Sequence, residues 1–430
     1  MNKQIVLWAL FCLMVLQTAY AENSVTKKLV EFETQANAAA QRSIDAILLP
    51  EVEIPLAMVE KDFAERINPL ISKSLSFEKN GQPFVHWILN PEDTKWGSEL
   101  IQHFQKLGLP LQIKYHFIGH QTASRSYIAE DPLTGIQFSV KSSTNVAGGK
   151  FTADKKQTIG SARDARLIGD FLNDQNQKRL FENFIFLDEP AILTISALDQ
   201  ALVIRDLGPM IQANNENFYL PGFSALHDKV GAEIARINGS TDPYQYWTDH
   251  YIKAVGKALG ELAARTGMQF DSPHSQNFLI ELDSKMKPTG KIVLRDLSDL
   301  YIDVNFITSL QGANSPLLIK FNQRTNLIDF INAGFGPLHG NEKPSWANSS
   351  VHTLKWKKVF FQEFESTFEN ISGFNIARLN TAKYQNGEKL SSTYKLFAHP
   401  KFKLFFEMMK KQGFVQNKQL TNRCENIFAL

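Results

Sequence analysis

The sequence predicts an α+β fold with a helical N-terminal region, a central mixed or antiparallel β region and a helical C-terminal region. Three observations point there. Residues 244–266 carry an apolar stripe at helical spacing. Residues 111–142 and 278–296 read as strands separated by turn clusters, and helical patterns return near 320–333, 354–370 and 397–411. No internal repeat, low-complexity tract or long linker interrupts this order.

Residues 1–21 have the parts of a cleavable export signal. Lys3 supplies a positive start, Ile5 to Thr18 form an apolar run, and Ala19-Tyr20-Ala21 is a small-x-small cleavage site before polar Glu22. The run is short for a membrane span. The sequence therefore predicts an exported chain, periplasmic or secreted, with no membrane attachment after cleavage. At 430 residues, 43% hydrophobic, 21% charged and a net charge of +2, it has an ordinary globular composition. That balance disfavours wholesale binding to nucleic acid or anionic membrane. Cleavage removes Cys12 and leaves Cys424 as the lone cysteine, so no internal disulfide can form.

From the N-terminus, Glu22 to Asp45 is polar and Ala-rich and reads as a loosely attached surface helix. Residues 55–75 and 97–107 also read as helices, the latter with Leu100, Ile101, Phe104 and Leu107 on one side. Leu111 to Ile118 is strand-like. Ser126–Ala129 and Ile136–Ser142 make a hairpin around Asp131-Pro-Leu-Thr-Gly135. Ser161 to Leu172 reads as a helix with Ser161 near its start. Ile192 to Ile204 reads as a strand ending at Arg205-Asp206, and Phe218 to Phe223 as a loop. The helix at 244–266 should stop at Gly267. The regions that follow are 22–125, mostly helical, a core at 126–305 and a helical part at 306–430.

The densest chemistry lies in Gly267-Met-Gln-Phe-Asp-Ser-Pro-His-Ser-Gln-Asn277, followed by Phe278–Asp283 and Lys291–Asp296. Pro288 and Gly290 suit a turn between two paired strands. A symmetric hairpin puts Phe278 opposite Asp296, with His274, Gln276, Asn277, Arg295 and Asp296 at one end. Asp296 is a hard oxygen ligand suited to Mg²⁺ and Asn277 can supply a second oxygen. The other groups can donate to phosphate or carboxylate oxygens. A polar loop that caps backbone groups fits the same residues, and the residues alone leave both open.

The segment Trp247 to Asp296 resembles the ATP-binding core of the aerobactin-type siderophore synthetases, the IucA/IucC family that works without nonribosomal peptide synthetases. The matching residues are Gly267, Asp271, His274, Gln276, Asn277, Gly290, Arg295 and Asp296. Upstream, Lys141 on a strand and Thr158-Ile-Gly-Ser161-Ala-Arg163 resemble the family's phosphate-holding lysine and Thr-Ser-Ala-x-Arg phrase. The match departs from the family at Asp271-Ser-Pro, one residue longer than usual, and at Ser275, where glycine is common. The family is also usually longer and cytosolic.

The resemblance implies a palm-like ATP site and an ATP- and Mg²⁺-dependent ligase. A small-molecule carboxylate would become an acyl-adenylate, captured by an amine or alcohol. Lys141, Ser161, Arg163, His274, Gln276 and Asn277 would hold the nucleotide, His274 and Arg295 would assist catalysis, and Asp296 with Asn277 would hold Mg²⁺. Two other readings stay open. One is a secreted kinase-like phosphoryl or nucleotidyl transferase, although no G-x-G-x-x-G loop precedes Lys141 and no His-Arg-Asp loop is present. The other is a non-catalytic protein that binds a polycarboxylate, a siderophore or a partner. No H-E-x-x-H, G-x-S-x-G or C-x-x-C motif offers a different chemistry.

Overall fold

The computed structural model describes residues 24–36, 43–122, 125–146, 154–212, 215–270, 275–302 and 344–372. The export segment, the expected helices at 320–333 and 397–411, and Cys424 lie outside the described residues. Within the described residues the α+β class holds, with helices at both ends and a large antiparallel sheet between them.

The strands are β1 (Ile47–Pro55), β2 (Glu60–Phe63), β3 (Ser76–Lys79), β4 (Gln82–Ile88), β5 (Ile113–Gln121), β6 (Ser126–Glu130), β7 (Gln137–Lys141), β8 (Phe184–Phe186), β9 (Ala191–Ile195), β10 (Gln200–Asp206), β11 (Phe218–Pro221), β12 (Met268–Phe270), β13 (Phe278–Leu282), β14 (Pro288–Leu294) and β15 (Leu300–Ile302). Nine form one sheet in the order β2-β9-β10-β7-β6-β5-β1-β4-β3, and four form a second in the order β11-β13-β14-β8. The main helices are α1 (Ser24–Ala36), α2 (Pro69–Leu75), α3 (Trp96–Lys106), α4 (Ile159–Lys178), α5 (Asp228–Ile237), α6 (Lys253–Thr266) and α7 (Ser350–Ser372).

Several expectations need correction. Residues 55–75 are not one helix: Glu60 to Phe63 pair with β9, and helix begins only at Pro69, where Asn68 caps the Leu70 N–H at 2.9 Å. Proline at the first helical position after an asparagine cap is a start signal that an apolar count overlooks. Residues 192–204 are not one strand. Asp199, at φ +45°, turns the chain between β9 and β10. Aspartate tolerates the left-handed region, so no glycine or proline marks the bend. Residues 218–221 form β11 against β13 rather than a loop.

Helix α1 is not loosely attached. Val25, Leu29, Val30, Phe32 and Ala36 are buried, and Glu33 is 2% exposed. Burying such side chains contributes roughly 1.5–3 kcal/mol each for Val, Leu and Phe. The polar sequence hid this because Glu33 is itself an inward-facing residue.

The helix expected at 244–266 forms, with a π turn at Thr248–Ile252, and ends at Gly267 with φ +67°. It is buried on more than its apolar stripe. A Cβ at Gly256 or Gly260 would lie 2.6 Å from the Phe360 or Phe364 carbonyl, so these glycines let α7 pack against α6 at close range. A core built on α6, α7, β13 and β14 thus backs one face of the second sheet, while α3 supplies Leu100 and Phe104 to the core of the nine-stranded sheet. Among the described residues no helix is long and apolar enough to cross a membrane.

Candidate functional site

The β13–β14 hairpin delivers one wall of a cleft. Its register pairs Phe278 with Leu294, two residues away from the expected Asp296. An irregularity between Ile280 and Leu282 and a turn through Met286 at φ +65° cause the slip. A shift of two keeps every side chain on its own face, because strand side chains alternate with period two. The Arg295 N–H then donates to the Asn277 carbonyl at 3.0 Å. Beyond it the chain bends at Asp296, φ +69°, into a helical turn over Leu297–Asp299. Gln276, Asn277, Arg295, Asp296, Ser298 and Asp299 are thereby gathered at one end of the second sheet, and all line the cleft.

The opposite wall comes from the large sheet. Lys141 ends β7, and its Nζ forms an ion pair with Asp296 and donates to Ser298 Oγ at 3.3 Å. On neighbouring β10, Arg205 donates to Glu189 at 2.5 Å and stands 3.8 Å from Asp296. Arg125, Ser126, Lys155 and Ser161 complete this side. The cleft has a volume of about 240 Å³ and its described lining residues are all polar or charged, with five cations and two carboxylates.

Electrostatics within the cleft are uneven. Burial pushes the Asp296 carboxyl up, but Lys141, Arg205 and Arg125 outweigh it and hold the group well below the usual carboxylate range. Asp299 moves the other way: burial first, then the adjacent Asp296 charge, push it up to about 6. Burial also lowers Lys155 and Arg125, and the Arg125 charge adds to the effect on Lys155. Two carboxylates that oppose each other's ionisation, facing cations that are poorly solvated, suit a ligand bearing both negative charge and a bound cation.

Of the residues expected at a site, Lys141, Ser161, Gln276, Asn277, Arg295 and Asp296 converge here. Arg163 does not. It grips Glu60 through two bonds of 2.7 and 2.8 Å at an exposed position. Two residues along a helix turn a side chain by roughly 200°, which carries it away from the cleft if Ser161 faces in. The cap of α4 is Thr158, which accepts from the Ser161 N–H at 3.3 Å. Arg295 reaches the cleft but is braced, donating to Glu33 at 2.7 Å and to the Gln276 carbonyl at 2.6 Å. His274 and Asp271 lie outside the described residues.

For a metal, no group of three or more His, Cys, Asp or Glu is arranged to hold an ion among the described residues. Asn277 uses its amide N–H₂ on Asp299 at 3.2 Å. The two carboxylates remain a fit for Mg²⁺, which commonly takes one or two protein carboxylates and completes its shell with phosphate and water. Sequence reading missed Arg125, Lys155, Ser298 and Asp299 and gave Arg205 little weight. Asp299 had a signal, the Asp-x-x-Asp spacing just after a strand. Arg125 and Lys155 had none, because only folding brings those two loops together.

No family model matches the chain, and no curated protein sequence does. Solved structures do. The petrobactin biosynthesis protein AsbB from Bacillus anthracis str. Sterne matches with a TM-score of 0.52 and 13% identity, over 90% of this chain and 69% of that one. Aerobactin synthetase IucC from a hypervirulent pathotype of Klebsiella pneumoniae matches at 0.49 and 11%, over 86% and 65%. ATP-bound aerobactin synthetase IucA from the same pathotype matches at 0.48 and 13%, over 76% and 65%. The likeness seen in Trp247 to Asp296 therefore extends to the fold. At these identities it is a likeness of fold, and the chain spans about two thirds of the length of each relative.

Proposed function

We propose that the chain is an exported, ATP- and Mg²⁺-dependent ligase that joins a small-molecule carboxylate to an amine or alcohol, as in siderophore assembly. The observation that carries this reading is the meeting of Lys141 and Asp296, 155 residues apart, in a wholly polar cleft. The AsbB-like fold supports the class of chemistry.

In this reading Lys141, Arg125 and Lys155 bind the phosphates, and Ser161 in the first turn of α4 adds a hydroxyl where a helix N-terminus favours anions. Gln276 and Asn277 line the nucleotide, with His274 assigned the same neighbourhood by its sequence position. Asp296 and Asp299 would hold Mg²⁺, whose charge would help neutralise the phosphates. The substrate carboxylate oxygen attacks the α-phosphorus, and the bond to pyrophosphate breaks with its electron pair leaving on pyrophosphate. The acceptor nitrogen or oxygen then attacks the acyl carbon, AMP departs, and the acceptor's proton passes to solvent. Arg205 and Arg295, braced by Glu189 and Glu33, hold the two walls in register; positioning and charge stabilisation do most of the work.

A second reading, non-catalytic binding of a polycarboxylate, is favoured by one feature: Asp296 is already engaged by Lys141 and Arg205. An exported ligase needs a recipient compartment that holds ATP, whereas a polycarboxylate binder does not. The deciding experiment is thermal unfolding with and without Mg·ATP, followed by incubation with labelled ATP and candidate acids and amines. A raised midpoint with pyrophosphate release supports the ligase. Label transfer from the γ-phosphate indicates a kinase-like transferase. Stabilisation by citrate-like acids, with none by Mg·ATP, supports the binder. Residues 1–21 are tested by the N-terminus of the exported chain, expected near Glu22.

A further inference from the structure

Lys155 reaches the polar cleft from the connection between β7 and α4, where the chain runs back along itself. Thr144 and Lys155 pair there as antiparallel neighbours through backbone bonds of 3.0 and 2.7 Å. Both arms of this pairing are tied to Asp93–Trp96, the corner that leads into α3. On one arm the Asn145 N–H donates to Asp93 at 3.1 Å, and the Asn145 amide makes two bonds of 2.9 Å with Thr94. On the other arm Trp96 Nε1 donates to Asp154 at 2.8 Å, and Lys95 pairs with the same carboxylate. The Lys156 ammonium lies over the Trp96 ring, 4.9 Å from its centre, and that of Lys95 at 4.1 Å. An indole face attracts such cations. Gln200, at the start of β10, donates to the Trp96 carbonyl at 3.2 Å and fixes the corner to the large sheet.

Consecutive side chains of an extended segment leave on opposite sides. Asp154 and Lys156 both turn to Trp96, so Lys155 between them points the other way, and it lines the cleft. We infer that Trp96 is a positioning residue for the cleft: from outside its lining, it aims Lys155 at the bound polyanion by gripping the residues on either side. This rests on the reading in which Lys155 binds phosphate. The grip has something to oppose. Burial, and after it the Arg125 charge, disfavour the Lys155 ammonium where it stands, and a side chain released from the clasp would turn to solvent. The same segment then runs on to the site: the Gln157 carbonyl accepts the Ala201 N–H at 2.9 Å, and Thr158 caps the helix that presents Ser161. One clasp thus steadies two of the groups assigned to the phosphates.

The test uses the full chain with two probes, inorganic tripolyphosphate and Mg·ATP, by isothermal titration. Lys155→Ala should weaken both about tenfold. Trp96→Ala should weaken both about fivefold in the native background but less than about twofold in the Lys155→Ala background, because residues that act as one device do not add. Trp96→Phe keeps a ring for the two lysines and loses the N–H to Asp154, so it should weaken binding about threefold. The same cycle run with it decides the matter where the alanine variant does not fold. Hydrogen exchange on the free chain needs no ligand. The Thr144 and Lys155 amides should exchange at least about tenfold faster in Trp96→Ala, while those of Val140 and Ile204, paired between β7 and β10, stay unchanged. Equal losses in both backgrounds, or unchanged exchange at Lys155, overturns the inference. If the native chain binds neither probe, the ligase reading falls instead, and exchange at Lys155 alone decides whether Trp96 holds it.

Discussion

Two ion pairs, one within a helix and one between two sheets, show how the same chemistry serves different ends. Glu261 and Arg265 on α6 are 2% and 1% exposed, and every neighbour is protein. Glu261 accepts the backbone N–H groups of Glu182 and Asn183, while Arg265 donates to the carbonyls of Leu180, Arg179 and Gln175. Lys141 and Asp296 are 9% and 19% exposed and open onto a cleft. The first pair is closed by backbone and staples a helix to the loop before β8. The second has its partners on one side only, so a ligand can exchange for part of them.

The largest predicted effect breaks the closed pair. Glu261→Ala removes the counter-charge of a buried guanidinium and the acceptor of three N–H groups, the backbone ones of Glu182 and Asn183 and the Asn183 side-chain amide, and should destabilise the chain by about 3–5 kcal/mol. Chemical denaturation measures it. A loss under about 1 kcal/mol would mean that water enters this pair, and the contrast with Lys141–Asp296 would fail.

Asp296→Ala probes the open pair. The cleft can admit water to Lys141 and Arg205, so stability should change by only about 1 kcal/mol. Mg·ATP-dependent turnover should fall about 10²–10³-fold, the scale of losing one charge-stabilising group. Unchanged turnover removes Asp296 from the site. Equal destabilisation in this variant and Glu261→Ala would make both pairs structural.

How far the sequence disclosed this contrast follows from what each pair depends on. The helical stretch 244–266, which ends in α6, was legible because Trp247, Tyr251, Val255, Leu259 and Leu262 share one stripe. Its second buried face was not, since Gly256 and Gly260 leave no apolar mark; they act by what they omit. The β13–β14 pairing was legible, but its turn was not: Pro288 and Gly290, expected in the turn, lie within β14, and the chain turns earlier, where the Asp283 N–H donates to the Lys287 carbonyl, so the register differs from the symmetric one. Lys141 and Asp296 were each visible as polar residues at strand ends. Their meeting, and the counter-charges Glu33 and Glu189, come from contacts between elements far apart in sequence. Arg125 and Lys155 were invisible for the same reason, and α1 was misjudged because its polar residues include one that points inward.

The open cleft should also carry a pH signature. Asp299 rises from 3.8 to about 6 in the folded chain. The fold therefore binds that proton more tightly than the unfolded chain does. The stabilising effect of protonation is complete below about pH 4 and is lost as pH rises through about 6. Without Mg²⁺, Asp299→Asn should stabilise the chain at pH 7.5 by about 1–2 kcal/mol and change little at pH 3.5. Thermal unfolding at the two pH values checks this. An effect of equal size at both would show that burial and the Asp296 charge do not raise the Asp299 carboxyl.

The smallest effect sharpens the boundary of the cleft. Arg163 lies two residues from Ser161 in the first turn of α4, yet it pairs with Glu60 where the two side chains are 41% and 53% exposed. Exposed pairs of this kind contribute roughly 0–1 kcal/mol, because solvent screens them and two long side chains lose freedom. Arg163→Ala should therefore alter stability by less than about 1 kcal/mol and leave Mg·ATP affinity within about twofold. Ser161→Ala, facing the cleft, should weaken that affinity about fivefold, near the 1 kcal/mol of one hydrogen bond. Titration calorimetry separates the two. The reverse order, with Arg163 dominant, would mean that α4 presents its other side to the nucleotide, and Lys141 would then have to bind phosphate without help from the helix.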